Sequence, residues 1–306
     1  MKPVLHHYWG SNFAHKVRLM LGLKDLDWYS VIIPDVMPKP DLVALTGGYS
    51  KTPVLQLGAD IYCDTARIAD ALEAFAPTPS LFPNVERDAA YEIQTWADGP
   101  FAVAAARYLM GRAHDRWPPA FHADRAALWG VPVDLERMAR AAVRYREQLG
   151  VFLERISQML VDGRVFLAGD APGLVDCACA QVVWFLHLGG EVTTDVLAPF
   201  SAVLAWYART SQLGHGRPED FSAAEALAVA RDATPRSVVR IDVDCSLGYR
   251  EGDQVKVVAA QAGRDPVMGR LYRLTSNEIA VRVRGAQVGE VVVHFPRNDY
   301  VLTRVQ

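Results

Sequence analysis

The chain is expected to carry three kinds of unit in series: a small α/β unit over 1–78, an all-α unit over 79–234 and a small all-β unit over 235–306. Three observations predict this. Strand-like and helix-like runs alternate through residues 3–75. Apolar residues then recur at threes and fours with no strand signal. Short β-branched runs set apart by turn residues begin after Ala233-Thr234-Pro235. A chain of 306 residues has room for two or three such units.

In the first unit, residues 3–9 read as a strand ending at Gly10-Ser11-Asn12. Phe13, Val17, Met20, Leu21 and Leu23 form a helical stripe, with Lys16 and Arg18 off it. Ser11 or Asn12 is a natural N-cap, and Gly22 helps end the helix. Trp28 to Ile33 is a second strand. Pro34, Pro38 and Pro40 enforce a loop, and Asp41 caps a short helical turn before Gly47-Gly48. Pro53 cannot donate to a sheet ladder, so Thr52-Pro53-Val54-Leu55-Gln56-Leu57 is a strand entered at its proline. Gly58-Ala59-Asp60 turns the chain into a short strand, Ile61 to Cys63, and Asp64-Thr65 opens a helix that runs to Phe75. The order β-α-β-α-β-β-α gives a small mixed sheet with helices on both faces, the thioredoxin-type layout.

Pro77, Pro79 and Pro83 mark a linker. Beyond it, Val85 to Arg112 is helical with a kink or break at Gly99-Pro100. Residues 113–133 carry Trp117-Pro118-Pro119 and Gly130-Val131-Pro132 and read as loop with at most a helical turn. Leu135 to Val161 is strongly amphipathic, and Leu174 to Leu188 is apolar on nearly every side, as a buried central helix would be. Two further helices are expected near 195–209 and 221–232. The last unit offers strands at Val238–Val243, Gln254–Ala259, Gly269–Leu274, Ile279–Val283, Val288–His294 and Tyr300–Arg304, the spacing of a small antiparallel barrel or sandwich.

Composition narrows the function. Apolar residues make up 51% and charged residues 22%, typical of a soluble globular protein. A formal charge of −3 gives no electrostatic case for nucleic-acid or membrane partners. No run is long enough to span a bilayer and the first residues lack a signal-peptide core, so a cytoplasmic location is expected. Cys63, Cys177, Cys179 and Cys245 match no zinc or redox spacing and read as small reduced hydrophobes. His6 and His7 point to opposite faces of a strand, so no metal site is expected.

The stretch Thr46 to Thr65 carries the chemistry. A cis Thr52-Pro53 bond would turn the chain sharply and leave the Val54 N–H and C=O open to an added peptide strand. The free N–H groups at Asp64-Thr65 suit a carboxylate. Together these suggest a small anionic peptide ligand. Leu5-His6-His7-Tyr8-Trp9-Gly10-Ser11-Asn12-Phe13-Ala14-His15-Lys16-Val17-Arg18, Thr52-Pro53-Val54-Leu55, Asp64-Thr65 and the helical second unit resemble the cytosolic glutathione S-transferases, in the bacterial form with a Ser-type N-terminal motif. The likeness covers about residues 3–230 and is specific over 3–75; it does not extend to the β unit.

The resemblance implies a role for each matching residue. Ser11 would activate the glutathione thiol, which a helix N-terminus and a hydroxyl donor both help to ionise. Val54 would pair with the cysteinyl backbone, Asp64 and Thr65 would hold the γ-glutamyl end, and Lys51, beside Thr52, would meet the glycyl carboxylate. Pro53 would be structural, and so would Asp176, in the Pro172-Gly173-Leu174-Val175-Asp176 capping signature. Asn12 replaces the family's usual proline, which leaves open whether Ser11 or Asn12 faces the sulfur. Glutathione would be the co-substrate, a small hydrophobic electrophile the second substrate, and a homodimer the assembly.

Plainer readings stand beside these. Ser11 is as readily a helix cap as a catalytic group, Asp64-Thr65 is also a plain cap, and Lys51 alone is most often solvated. Tyr8 is a packed strand aromatic. Trp96, Phe101, Tyr108, Trp117 and Phe121 are candidates for lining an apolar pocket, and each is more often core. The expected function is a glutathione-dependent transferase. The alternative is a glutathione-transferase-like binding or assembly protein with little turnover, its β unit serving interaction.

Overall fold

The front of the chain forms β1 (Val4–His7), α1 (Asn12–Leu23), β2 (Asp27–Ile32), α2 (Pro40–Thr46), β3 (Val54–Leu57), β4 (Asp60–Cys63) and α3 (Thr65–Phe75) in a computed structural model that describes residues 1–242, 247–260 and 266–305. β1 is paired in parallel with β2 and antiparallel with β3, and β3 is antiparallel to β4. The Thr52-Pro53 peptide is cis. This is the expected thioredoxin-type order. Lys16 and Arg18 lie off the apolar stripe of α1 yet are almost wholly buried, because the sheet covers one side of that helix and the second unit covers another.

The helical part runs α4 (Arg87–Trp96), α5 (Ala102–Arg112), α6 (Pro119–Trp129), α7 (Leu135–Met159), α8 (Leu174–His187), α9 (Glu191–Leu197), α10 (Ser201–Ser211) and α11 (Ala223–Asp232). At Gly99-Pro100 the helix widens into a π-turn over Ala97–Phe101 and continues, which accommodates the proline's missing donor. Residues 113–133 are not mainly loop. Pro118 and Pro119 occupy the cap and first position of α6, where proline starts a helix, and Gly130 at φ +69 stops it. No residue of α6 is fully buried, so no apolar stripe announced it.

α8 is buried from Leu174 through Val183, as its composition implied. The Asp176 carboxylate near its start accepts from the backbone of Leu167 (2.7 Å), Ala168 (3.3 Å) and Gly173 (3.0 Å) and from Trp206 Nε1 (2.8 Å). Four donors make it a joint between the helix, the preceding loop and α10. A strand that sequence pattern does not show, β5 (Arg217–Asp220), pairs in parallel with β2 at the sheet edge. It is exposed throughout, carries Pro218 and is held by Arg217 against Asp25 and Asp27.

The C-terminal strands are β6 (Arg240–Ile241), β7 (Gln254–Ala259), β8 (Val267–Leu274), β9 (Glu278–Gly285), β10 (Gly289–Pro296) and β11 (Tyr300–Arg304); β7 to β11 supply the expected antiparallel run, in the order β11-β7-β8-β9-β10, and β6 pairs in parallel with β8. That run continues the front sheet. β10 pairs in parallel with β4, Val292 opposite Asp60 and His294 opposite Tyr62. One apolar core therefore contains Leu42, Val54 and Ile61 together with Val255, Leu271, Val281 and Phe295. Cys245, the end of the run at Val243 and the turn residues 263–265 lie outside the described residues.

Charge is buried at the β4–β10 junction. His294 donates to Glu278 Oε1 (2.7 Å) from Nδ1 and to Asp60 Oδ1 (3.0 Å) from Nε2, and Tyr62 stacks on its ring at 4.5 Å. Asp60 also accepts from Arg236 N and Ser237 Oγ. Burial is the largest single influence on His294 and pushes it down, but the bonds and charges of Asp60 and Glu278 outweigh it and leave it above its ordinary 6.5. Burial likewise pushes Glu278 up, and His294, Arg67 and Arg273 more than reverse this, to about 2. The histidine's contribution to stability is complete below 6.5 and is lost as pH rises through its raised value; that of Glu278 is complete above its ordinary 4.5 and is lost as pH falls toward about 2. Denaturant midpoints should therefore be highest between those two ordinary values and decline on the alkaline side. His294→Gln should remove the alkaline decline, and a wild-type midpoint flat from neutral to alkaline pH would contradict the assignment.

Candidate functional site at the N-terminus of α1

Ser11 caps α1 with extended backbone (φ −80, ψ 121), and its Oγ accepts from Ala14 N at 3.2 Å. It is nearly buried. The Tyr8 hydroxyl, near Ser11 in the loop after β1, accepts from Arg125 Nη2 at 3.2 Å. Burial holds the Tyr8 phenol above its ordinary value despite the Arg125 charge, so it remains a proton donor at neutral pH. Tyr8 follows β1 and is more than strand packing.

Asn12 turns away from the cap. Its Nδ2 donates to Gln181 Oε1 at 2.6 Å, Gln181 Nε2 donates to Asp98 Oδ1 at 3.4 Å, and Thr65 Oγ1 donates to Asp98 Oδ2 at 3.4 Å. Lys16 pairs with the same Asp98 oxygen from a fully buried side chain. Burial raises the Asp98 carboxyl, and Lys16 opposes that shift. This polar chain ties the start of α1 to the start of α3 through α8 and the π-turn.

Asp64 caps α3 from a left-handed backbone (φ +73), with Oδ1 accepting from Ala66 N at 3.0 Å. Strain of this kind in a non-glycine residue is concentrated at functional sites. Lys39 Nζ donates to Ser50 O and Thr52 Oγ1, each at 3.2 Å, and lies 5.8 Å from the Tyr8 ring centroid. Lys51 is half-buried beside Thr52. Contacts thus link Asn12 to Thr65 through Gln181 and Asp98, and Thr52 to the Tyr8 ring through Lys39, with Lys51 and the cis Pro53 on either side of Thr52.

Val54 is a correction. It is in register with His6 on one side and Cys63 on the other, so its N–H and C=O face a neighbouring strand whichever way they point. No peptide can add there. Thr52 lies just outside the ladder. Lys39, Asp98 and Gln181 were missed, because a lone lysine in a proline loop and polar residues on helices carry no sequence signal. Lys16 had one, a charge beside the buried stripe.

The aromatic candidates divide. Trp96, Phe101 and Phe152 pack on one another at 5.3 to 5.7 Å, and Tyr108 is buried with its hydroxyl on Val192 O, so these are core. Trp117 and Phe121 stack at 5.9 Å on the α6 side, where Arg125 lies over Phe121 at 4.1 Å and reaches Tyr8. Two clefts of about 500 and 300 Å³ sit elsewhere, around Arg116, Gly190 and His187, and share no residue with this constellation. Cys63 is buried and its thiol is pushed well up by burial, which leaves it unreactive. Among the described residues no group of three or more His, Cys, Asp or Glu is placed to hold a metal ion, and no described helix is long and apolar enough to cross a membrane.

Comparison with known proteins decides the family. The family model for the glutathione S-transferase N-terminal domain matches residues 5–80, and that for the C-terminal domain matches residues 136–209. A GST-like protein from Pseudomonas syringae is 35% identical, with 99% of each chain covered and a TM-score of 0.81. The chain belongs to the glutathione S-transferase family. Its likeness to the Pseudomonas protein runs through the C-terminal strands. A glutathione S-transferase from Rhodospirillum rubrum F11 covers 68% of this chain and 87% of its own at 24% identity and a TM-score of 0.54, a likeness of fold alone. A probable maleylacetoacetate isomerase 1 from Drosophila melanogaster is 30% identical over 93 residues, which is 27% of this chain and 35% of that protein. The chain spans about a third of the length of that curated relative.

Removing the Asp98 carboxylate leaves the buried Lys16 ammonium uncompensated. Asp98→Ala should lower unfolding free energy by about 3 kcal/mol in denaturant titration, and Lys16→Met with Asp98→Ala together should recover part of that loss. A single variant as stable as wild type would show that the pair is not buried as described.

Proposed function

We propose that the chain is a glutathione-dependent transferase in which the thiolate forms against Ser11 at the N-terminus of α1. The observation that carries this reading is the state of the Ser11 hydroxyl. Its oxygen accepts from Ala14 N, which leaves its own proton to donate to a ligand sulfur. A thiol of ordinary pKa near ~8.5 is further ionised by the unpaired N–H groups of the helix start. Asn12, already committed to Gln181, is the weaker candidate for the sulfur.

Around that point, Asp64 and Thr65 hold the γ-glutamyl end, the Thr52 backbone meets the cysteinyl unit, and Lys51 and Lys39 meet the glycyl carboxylate. In the reaction the thiolate lone pair forms a bond to an electrophilic carbon, and the displaced electron pair leaves with the departing group or settles on a conjugated oxygen. A hydrophobic electrophile would lie toward Trp117 and Phe121. The reading includes a homodimeric state and a cytoplasmic location.

Ser11→Ala should lower kcat/KM with a model electrophile on the order of a hundredfold, the effect of losing one donor to a developing or resident anion. It should also lower stability by about 1 kcal/mol through the lost cap. Ser11→Gly should restore most of the stability and none of the activity. Full activity in both variants would move the role to Asn12 or backbone donors. Glutathione binding with no turnover of any electrophile would favour the binding or assembly role instead.

A further inference from the structure

We infer that Tyr300, on the C-terminal strands, is a positioning residue of the glutathione site and acts through Asp64. The inference rests on the proposed reading that the Asp64 carboxylate receives the γ-glutamyl ammonium. That carboxylate has two oxygens with different surroundings. Oδ1 is tied to the start of α3 by Ala66 N, and Oδ2 faces the Tyr300 hydroxyl at 3.5 Å. An ammonium arriving at Oδ2 needs the carboxylate plane fixed, and one tether leaves it free to rotate.

The hydroxyl is delivered by several contacts. Tyr300 opens β11 opposite Ala259 and is nearly buried. The Phe295 ring of β10 lies 5.2 Å from it and 6.0 Å from Tyr49. Tyr49 and Tyr300 thus pack on the same Phe295 ring, and the Asp64 charge acts on both phenols. Burial keeps the Tyr300 phenol protonated and therefore a donor.

The same strands steady the rest of the loop. A Cβ on Gly48 would meet Pro266 O at 2.7 Å, and one on Gly47 would meet the Val283 side chain at 2.7 Å; both glycines hold positive φ. The segment from Gly47 to Asp64 is thus seated on residues that follow 235, although no such residue belongs to the transferase-like body. The C-terminal strands complete the ligand site from behind.

The test is a double-mutant cycle on calorimetric glutathione affinity, using wild type, Tyr300→Phe, Asp64→Asn and the double variant, with thermal midpoints alongside. The 3.5 Å contact is long, so Tyr300→Phe should raise Kd only about fivefold. Asp64→Asn should raise it more, and Tyr300→Phe should add nothing on that background. Wild-type binding with an unchanged Kd in Tyr300→Phe would overturn the inference alone. The same fold-loss on both backgrounds, or a loss that follows a lowered midpoint, would also overturn it, since Tyr300 would then be structural. No glutathione binding by the wild type would overturn the underlying reading of the site.

Discussion

Strand β4 is enclosed on both edges, by β3 and by β10, and most of the molecule's organisation follows from the second of these pairings. The thioredoxin-type sheet would otherwise present β4 as an edge, a row of open backbone groups that proteins rarely leave bare. Here β10 covers it in parallel, and the remaining C-terminal strands extend outward from β10. The junction is specified by more than backbone. Asp60 and Tyr62 of β4 meet His294 of β10 by a charged bond and a stacked ring, while Ile61 turns to the shared apolar core on the other face. Sliding the register by one residue would place Ile61 against charge and Asp60 in hydrocarbon, so the pairing is sharply defined.

On the opposite face, α1 lies between the sheet and α8, and its charged residues are resolved locally. Lys16 finds Asp98; Arg18 donates to Trp9 O at 3.1 Å and contacts His7 Nδ1 at 3.2 Å, with its guanidinium over the Trp9 ring. Burial lowers Arg18 to about 10, still far above neutrality, so it remains a cation. These contacts fix the axis of α1 and so the direction of its N-terminal N–H groups. A helix start that is to stabilise a thiolate has to be held by its far end and its flanks, since the site itself must stay open.

Much of this was legible from residue types. Thr52-Pro53 and Asp64-Thr65 announced a cis bond and a helix cap because proline and short acidic side chains have few other uses at such positions. The Ser11 cap of α1 was legible for the same reason. Legibility failed where the determining partner is far along the chain. The β4–β10 pairing joins Asp60 to Val292, and nothing within either strand distinguishes that neighbour from solvent. Val54 was misjudged because the partners that close both its sides, His6 and Cys63, are set by sheet order rather than by the proline before it. α6 and β5 are exposed elements without apolar periodicity, so only their turn residues mark them. Lys39 and Asp98 became visible once the loop and the π-turn were folded around Tyr8 and Lys16.

The proposed chemistry requires that glutathione be ionised where α1 begins. The direct measurement is the ultraviolet absorbance of thiolate in the protein–glutathione complex, titrated against pH and compared with free glutathione. The expected result is an apparent thiol pKa clearly below the ordinary value of ~8.5, moving back toward it in Ser11→Ala. Bound glutathione that titrates like the free thiol would contradict it.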